Sequence, residues 1–566
     1  MTTQAIRAES NTLDSGPGRF LSRRLPDTNS ALWPMCALAI LAVLQFSMVF
    51  TRAINWDEYF YFHEVAAFAQ GQLDRPLQTL HTRLFAWLPG LFATSTDHIV
   101  AARVIMFACE LVSIAAIALC ARKFADWPVA ILCGLLYLSA GYVLQHGFSF
   151  RSDPLATALL MSALFILVRT NLTALWIIVF GICLGLAGLV TMKSVLYAPA
   201  FIGVGLMRLM EAPRVIPELC RLLLAVAATC ASFALVYLIQ LASVTGTYQT
   251  AAASQAMVES SASWIFHVGI PPYWQMAVKA AATAPIFSLL VLATPAIVWK
   301  MKDSQGRKLA LVGLWLPVLT PFFYVNTAAY FYAFMLAPVA VACAPALQLS
   351  LARWNGAVLT GAIAVIGLAT WLHEDRRVID RQRQLETNVQ EIFARPVSYF
   401  DQNFMLGAWP QANGFMTPWG MHVYRVAGKA RYSDALDAGT VPLLLANSRD
   451  LQELMAGTND GLLLPEDTAA LRETYVEFSP YIWLAGKDIP AAGETTYRVR
   501  VPGPYTVHGD VIVIDGTRHE KGESIELERG TVTLANPGRT PTRLVYGDRL
   551  PEPSDPVESG PLYVLF

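Results

Sequence analysis

Charge is scarce in the first two thirds of this chain. Of its 83 Asp, Glu, Lys and Arg residues, 46 lie beyond residue 371 and only 37 in the 371 positions before it. With 55% hydrophobic residues and a mean hydropathy of +0.44, this excludes a purely soluble enzyme. A membrane body followed by a water-soluble tail fits instead. A surplus of positive charge is also missing. The formal net charge is −1 and the tail has no stripe of Lys and Arg, so no nucleic acid partner is expected. Cysteine is absent from the tail, since all eight, from Cys36 to Cys343, lie in the apolar part. The tail therefore folds without disulfides, and cysteine usage does not report its compartment. Neither CxxC nor HExxH occurs, and the nine histidines never pair at helical ligand spacing, which argues against a protein-built zinc site.

Long apolar runs are abundant. Windows of about 20 residues pick out spans near 31–50, 98–120, 128–147, 154–168, 174–191, 195–210, 220–241, 279–299, 309–326, 330–349 and 354–371. The first run follows Arg19, Arg23 and Arg24 as a signal peptide would, but it is long and lacks a small-residue cleavage site, so it reads as an uncleaved first helix. The expected fold is a multi-pass α-helical membrane protein of about eleven transmembrane helices with a C-terminal soluble region. Basic residues recur on alternate connections (Arg122, Lys123, Arg169, Arg208, Arg307, Arg353), and by the positive-inside rule that side is cytoplasmic. Residues 1–30 then form a cytoplasmic segment and 31–371 the transmembrane domain. The loop 51–97, the segment 146–153, the turn at Lys193, the loop 242–278 and the tail fall on the outer side.

Within the outer loop, Trp56-Asp57-Glu58-Tyr59-Phe60-Tyr61-Phe62-His63-Glu64 leads into a helix stopped by Gly71. Its aromatic content suits the membrane interface plane. The tail reads in two parts. Residues 372–490 mix helices (380–393, 451–456, 467–477) with short strands (441–446, 481–484), an α/β pattern. Residues 491–566 alternate strand and turn, as in a small β-sandwich with exposed-looking Tyr497 and Tyr505.

Few charged residues near the membrane need explaining. Asp57 and Glu58 lie just outside the first span, where acids also favour a helix N-terminus electrostatically. Asp153 opens a span with Pro154 behind it, which an N-cap would equally explain. Lys193 interrupts an apolar pattern, and Arg103 sits inside a span where pairing with Glu110 or snorkelling is the bland alternative. Together with Arg83 these acids and cations converge on the outer side of the bundle. Carboxylates deprotonate a hydroxyl nucleophile and cations hold a departing phosphate, a combination that a lipid-linked phosphosugar donor requires.

The stretch from Trp56 to Tyr61 resembles the "DE" motif in the first outer loop of the GT-C membrane glycosyltransferases, most of all the protein O-mannosyltransferase and aminoarabinose transferase branch. His81-Thr82-Arg83-Leu84-Phe85 resembles the "KPPL" segment of that branch, and Ser152-Asp153-Pro154-Leu155 its second acidic motif. Residues 189–193 resemble the "TKGP" turn, 330–338 the "RY..P..P" stretch, and 462–486 the soluble ends of bacterial members. The resemblance implies a polyprenyl-phosphate sugar donor, inversion at the anomeric carbon, and a hydroxyl acceptor on an envelope glycolipid, polysaccharide or protein. It implies Asp57 as general base with Glu58 and Asp153 as supporting acids. Arg83, Arg103 and Lys193 would be donor-phosphate contacts, and Tyr59, His81 and Tyr330 substrate contacts. It leaves a divalent metal open and names no other cofactor. The location implied is the inner membrane, among its lipids, with a periplasmic tail. The rival reading is a secondary transporter or flippase, against which stand the outer tail and the lack of paired broken segments.

Overall fold

Every one of the eleven apolar runs forms helix in the computed structural model, which describes residues 31–73, 78–243, 267, 269–414, 416 and 418–564. The expected cytoplasmic segment 1–30 and most of the loop 242–278 lie outside the described residues. The first ten helices are α1 (Leu32–Thr51), α2 (Trp56–Ala69), α3 (Leu80–Leu84), α4 (Ser95–Ala121), α5 (Trp127–Ser139), α6 (Gly141–His146), α7 (Ser152–Arg169), α8 (Ala174–Val190), α9 (Ala198–Glu211) and α10 (Val215–Ala242).

The runs are less regular than their hydropathy suggests. Among the described residues five helices are long and apolar enough to cross a membrane: α1, α4, α7, α10 and the continuous Met192–Glu211. Two bent pairs raise the number to seven, and α5, α8 and Gly356–Leu372 are shorter apolar helices. The bends have local causes. Trp274–Ala282 and Pro285–Lys300 meet at 103°, where Pro285 disfavours helical backbone in the residue before it. Phe331–Ala342 and Ala344–Arg353 meet at 60°, with Pro345 opening the second helix. The run 128–147 divides at Ala140, where Gly141 lies so close to Thr283 that a Cβ would overlap its side chain. The run 309–326 passes from Gln305–Trp315 into the tighter turns of Leu316–Phe322, which carry Pro317 and Pro321.

The alternate loops separate to opposite ends of the bundle. At one end Arg52 at the close of α1 pairs with Glu374 of the tail, Asp57 with Arg151, and Asp153 with Lys193. At the other end the Lys123 ammonium lies 3.1 Å from Glu211, Arg307 donates to the Lys123 carbonyl, and Arg208 reaches Glu218.

The tail opens with the helix Val378–Ile392 and carries eleven strands: β1 (Tyr399–Phe400), β2 (Leu443–Leu445), β3 (Tyr475–Ser479), β4 (Ile482–Ile489), β5 (Glu494–Val499), β6 (Gly503–His508), β7 (Val511–Ile514), β8 (Thr517–Glu520), β9 (Ser524–Leu527), β10 (Gly530–Ala535) and β11 (Thr542–Tyr546). Seven form one sheet in the order β1-β2-β4-β11-β6-β9 with β3 beside β4, and β5-β10-β7-β8 form a second. The first sheet runs across residue 490, because β4 pairs on one edge with β2 and on the other with β11. The expected helix 467–477 stops at Thr474. Tyr475, Val476 and Phe478, residues that favour pleated backbone, continue as β3. Asp515 and Gly516 both take positive φ in the tight β7–β8 turn. Tyr497 and Tyr505 are not exposed: they are 1% and 0% accessible, packed edge to face in the core between the sheets.

Helix α2 does not lie open in an interface plane either. Tyr59, Phe62 and Val65 share a core with Ile379, Leu385 and Val389 of the first tail helix and with Tyr399 and Met405. His63 stacks on Phe404 and bonds the Gly407 carbonyl at 2.9 Å. The tail is therefore a cover seated on α2.

Candidate active site

Helix α2 begins with a reciprocal cap. The Asn55 side chain accepts the Asp57 N–H at 3.0 Å, and Glu58 Oε1 accepts the Asn55 N–H at 3.1 Å. This cap sends the two neighbouring acids in different directions. Glu58 turns inward. Arg103 Nε donates to its Oε2 at 2.7 Å, an Arg103 terminal nitrogen to Oε1 at 2.6 Å, and the Phe150 N–H to Oε2 at 2.7 Å. Burial opposes ionisation of this carboxyl, yet Arg103 and the two amides hold it below its ordinary value. Arg103 spends its remaining donors on the Arg52 and Ala53 carbonyls at 2.8 and 2.9 Å. Both side chains are 1% exposed. Neither fits its expected role: Arg103 has no donor group left for a phosphate, and Glu58 has no oxygen left for an acceptor. They form a clamp joining α1, α2, α4 and the segment before α7. The alternative pairing of Arg103 with Glu110 does not form.

Asp57 turns outward and keeps 19% of its side chain accessible. Arg151, the residue just ahead of α7, donates to Asp57 and reaches Asp153 at 3.5 Å. Asp153 in turn accepts the Lys193 ammonium at 2.5 Å. Lys193 is held by the short turn Met192–Tyr197 between α8 and α9, where Thr191 accepts its N–H at 3.4 Å. Tyr330 lies beneath both cations, 3.3 Å from the Arg151 guanidinium carbon and 5.6 Å from the Lys193 nitrogen, measured to the ring centre. Two carboxylates and two cations thus alternate around one aromatic face. Asp57 and Lys193 are more open than the two between them, at 19% and 14% accessible against 5% for Arg151 and 2% for Asp153.

The other expected residues stand apart from this series. Tyr59 is buried, bonded to Thr96 at 2.8 Å and turned towards the tail. His81 packs edge-on against Tyr61 at 4.7 Å, and Tyr61 lies 5.7 Å from the Arg151 guanidinium, which makes His81 a second layer. Arg83 bonds Ser243 and the Gln240 carbonyl at the end of α10. Arg151 is the residue that sequence reasoning missed. Its signal was present, a second charge two positions from Asp153 in an apolar context, but a charge at a helix N-cap reads as solvent-facing.

Among the described residues no three His, Cys, Asp or Glu side chains gather as a metal-holding group. Asp57 and Asp153 are each already paired with a cation, a set that does not fit a divalent ion. Beside Lys193 opens an apolar groove of about 500 Å³ between α8, α9 and α10, lined by Gly185, Gly188, Ser194, Val195 and Phe233 among others. Gly181 and Gly185 create the close α8–α10 contact at its floor, since a Cβ on either would meet the α10 backbone.

No family model and no curated protein matches the sequence. Solved structures do match. ArnT from Cupriavidus metallidurans, solved with undecaprenyl phosphate, aligns with a TM-score of 0.52 at 13% identity, over 76% of this chain and 95% of that one. The apo oligosaccharyltransferase of Archaeoglobus fulgidus aligns with a TM-score of 0.53 at 12% identity, over 93% and 96%. The fold is that of the GT-C membrane glycosyltransferases. In this fold the alternating charges lie at the end of the bundle that the tail covers, and the apolar groove begins at Ser194 and Val195, next in the chain to Lys193.

Proposed function

We propose that this protein transfers a sugar from a polyprenyl-phosphate carrier to a hydroxyl acceptor, with inversion at the anomeric carbon. The observation that carries the reading is the series Asp57–Arg151–Asp153–Lys193 around Tyr330, with an apolar groove lined by Ser194 and Val195, the residues that follow Lys193. The undecaprenyl phosphate bound to the structural neighbour ArnT supports the same class of carrier here. The lipid chain lies in the groove and its phosphate meets Lys193 and Arg151 at the groove's end.

Asp57 and the donor phosphate compete for Arg151. Arrival of the phosphate draws the guanidinium away and frees the Asp57 carboxylate as a base. Asp57 takes the proton of the acceptor hydroxyl as its oxygen bonds to the anomeric carbon. The bond from that carbon to the phosphate oxygen breaks, and polyprenyl phosphate departs as an anion stabilised by Arg151 and Lys193. Asp153 keeps both cations in place between turnovers. The reaction takes place on the outer face of the inner membrane, and the acceptor is an envelope glycan or glycolipid hydroxyl.

Purified protein given a labelled polyprenyl-phosphate sugar tests the reading. Release of polyprenyl phosphate together with sugar transfer supports it. Vectorial movement of the intact donor without cleavage would make the protein a flippase instead.

A further inference from the structure

At the end of the bundle opposite the catalytic series lies a second, polar cavity of about 270 Å³. It is lined by Arg122, Lys123 and Asp126 of the α4–α5 turn, by Arg307 of the helix Gln305–Trp315, and by Gln348 of the helix Ala344–Arg353. Three cations face one carboxylate. Glu211 pairs with Lys123 at 3.1 Å and Asp303 with Arg307 at 3.0 Å, which leaves Arg122 with no ion pair among the described residues. Among the described residues the Arg122 guanidinium donates only to the Ala125 carbonyl, at 3.0 Å. Arg307 Nε is buried and meets no acceptor among the described residues. The cavity therefore holds donors of Arg122 and Arg307 that no acceptor among the described residues uses.

Its depth is fixed by tryptophan. Trp127 follows Asp126 in the chain, lies 5.7 Å from the Arg122 guanidinium and is 48% exposed. Trp299 and Trp354, beside Lys300 and Arg353, are 84% and 65% exposed at this same end. Outward-facing tryptophans at helix ends mark the level of lipid headgroups. An anion at that depth reaches the cavity from the bilayer. Basic cavities between helices at this level suit anionic phospholipid headgroups, and the surrounding field concentrates such lipids.

We propose that this cavity binds the phosphodiester headgroup of an anionic phospholipid, with Arg122 and Arg307 as its donors and Lys123 at the rim. The site is independent of the transfer reaction, because it lies at the other end of the helices. Binding there fixes the α4–α5 turn against the helix Gln305–Trp315.

The test uses the full chain, delipidated in a neutral detergent, with native mass spectrometry and thermal unfolding as readouts. Phosphatidylglycerol is titrated against phosphatidylcholine, and inorganic phosphate is added as a competitor. The expected result is retention of phosphatidylglycerol at least about 10-fold tighter than phosphatidylcholine, the size of one lost charge-assisted contact. Arg122→Gln removes this preference and Arg122→Lys retains most of it, both folding as the parent does. Equal retention of the two lipids, or a preference unchanged in Arg122→Gln, overturns the proposal. Displacement by millimolar inorganic phosphate also overturns it, by making the occupant a soluble phosphate. Should Arg122→Gln fail to fold, Lys123→Gln on the parent background serves as the second variant, with weakened phosphatidylglycerol retention expected and an unchanged preference counting against the site.

Discussion

The guanidinium of Arg151 lies 3.3 Å from the centre of the Tyr330 ring while donating to Asp57. A planar cation stacked on an aromatic face can swing its donors in the ring plane while remaining stabilised, a motion a lysine ammonium cannot reproduce. In the proposed reaction that relationship lets the guanidinium turn from Asp57 to the donor phosphate.

Replacing Arg151 by Lys keeps the charge and loses the fork and the stacking. Transfer should fall by at least about 10-fold, with a raised KM for the polyprenyl-phosphate sugar, and Arg151→Gln should fall further. Steady-state kinetics with purified protein check this, and a lysine variant of parental activity would show that charge alone suffices.

Asp57→Asn removes basicity and keeps shape. Turnover should drop by about 100-fold or more, while expression and elution on size exclusion stay as in the parent. Near-parental turnover would reduce Asp57 to a residue that merely favours the helix N-terminus.

Glu58→Gln and Arg103→Met each leave one buried charge without its partner. Each single change should cost about 3–5 kcal/mol of stability, and the double change Glu58→Leu with Arg103→Met should recover much of it. Thermal unfolding in detergent measures the effect. A double variant less stable than both singles would show that the clamp contributes more than mutual neutralisation.

Glu386, on the first tail helix, accepts the Thr96 N–H at 3.0 Å and the Thr96 hydroxyl at 2.5 Å, so the tail is pinned to the start of α4. Burial is the main cause that pushes its carboxyl up from 4.5 to about 7, against the lowering effect of the Thr96 and Ser95 contacts. A raised pKa means that the docked state holds the proton more tightly than the open one. Docking is thus strongest below about pH 4.5 and weakens as pH rises to about 7. Protection of the 95–98 amides in hydrogen exchange, corrected for intrinsic rates, should fall over that window, and Glu386→Gln should flatten the dependence. Protection that rises across the window would refute the sign.

Fusion of alkaline phosphatase after residue 566 should give an active enzyme in cells, since the tail belongs to the end opposite the basic loops. An inactive fusion beside a fluorescent cytoplasmic reporter would reverse the orientation.

Much of this arrangement was legible in the sequence. Apolar runs located the helices, and the order of Asp57, Asp153 and Lys193 anticipated which loops meet. Hydropathy cannot register a bend, because Pro285 and Gly141 barely alter a 20-residue average while redirecting the chain. Arg103 misled for a related reason. A cation inside a span signals that a partner exists, but its pairing with Glu58, 45 positions earlier, is set by how α2 packs on α4. Tyr497 and Tyr505 looked exposed because alternation shows that a strand has two faces without showing which is covered. Arg151 was hidden by its place at a helix N-cap, where charges are ordinary.

Gln382 bonds Ile54 on both sides, accepting its N–H and donating to its carbonyl, each at 2.8 Å, and also donates to the Leu562 carbonyl at 2.7 Å. Tyr563 packs against Trp56 and Tyr59, both ring pairs at 6.3 Å. The segment beside Asp57 is thus fastened by Leu562 and Tyr563, residues made long after it. At about 5–20 residues per second, roughly 25–100 s separate synthesis of the two halves of this contact. Through that interval the membrane helices can be inserted while α2 still lacks its cover. A nascent chain that has not yet reached Leu562 and Tyr563 therefore carries Asp57 without these contacts.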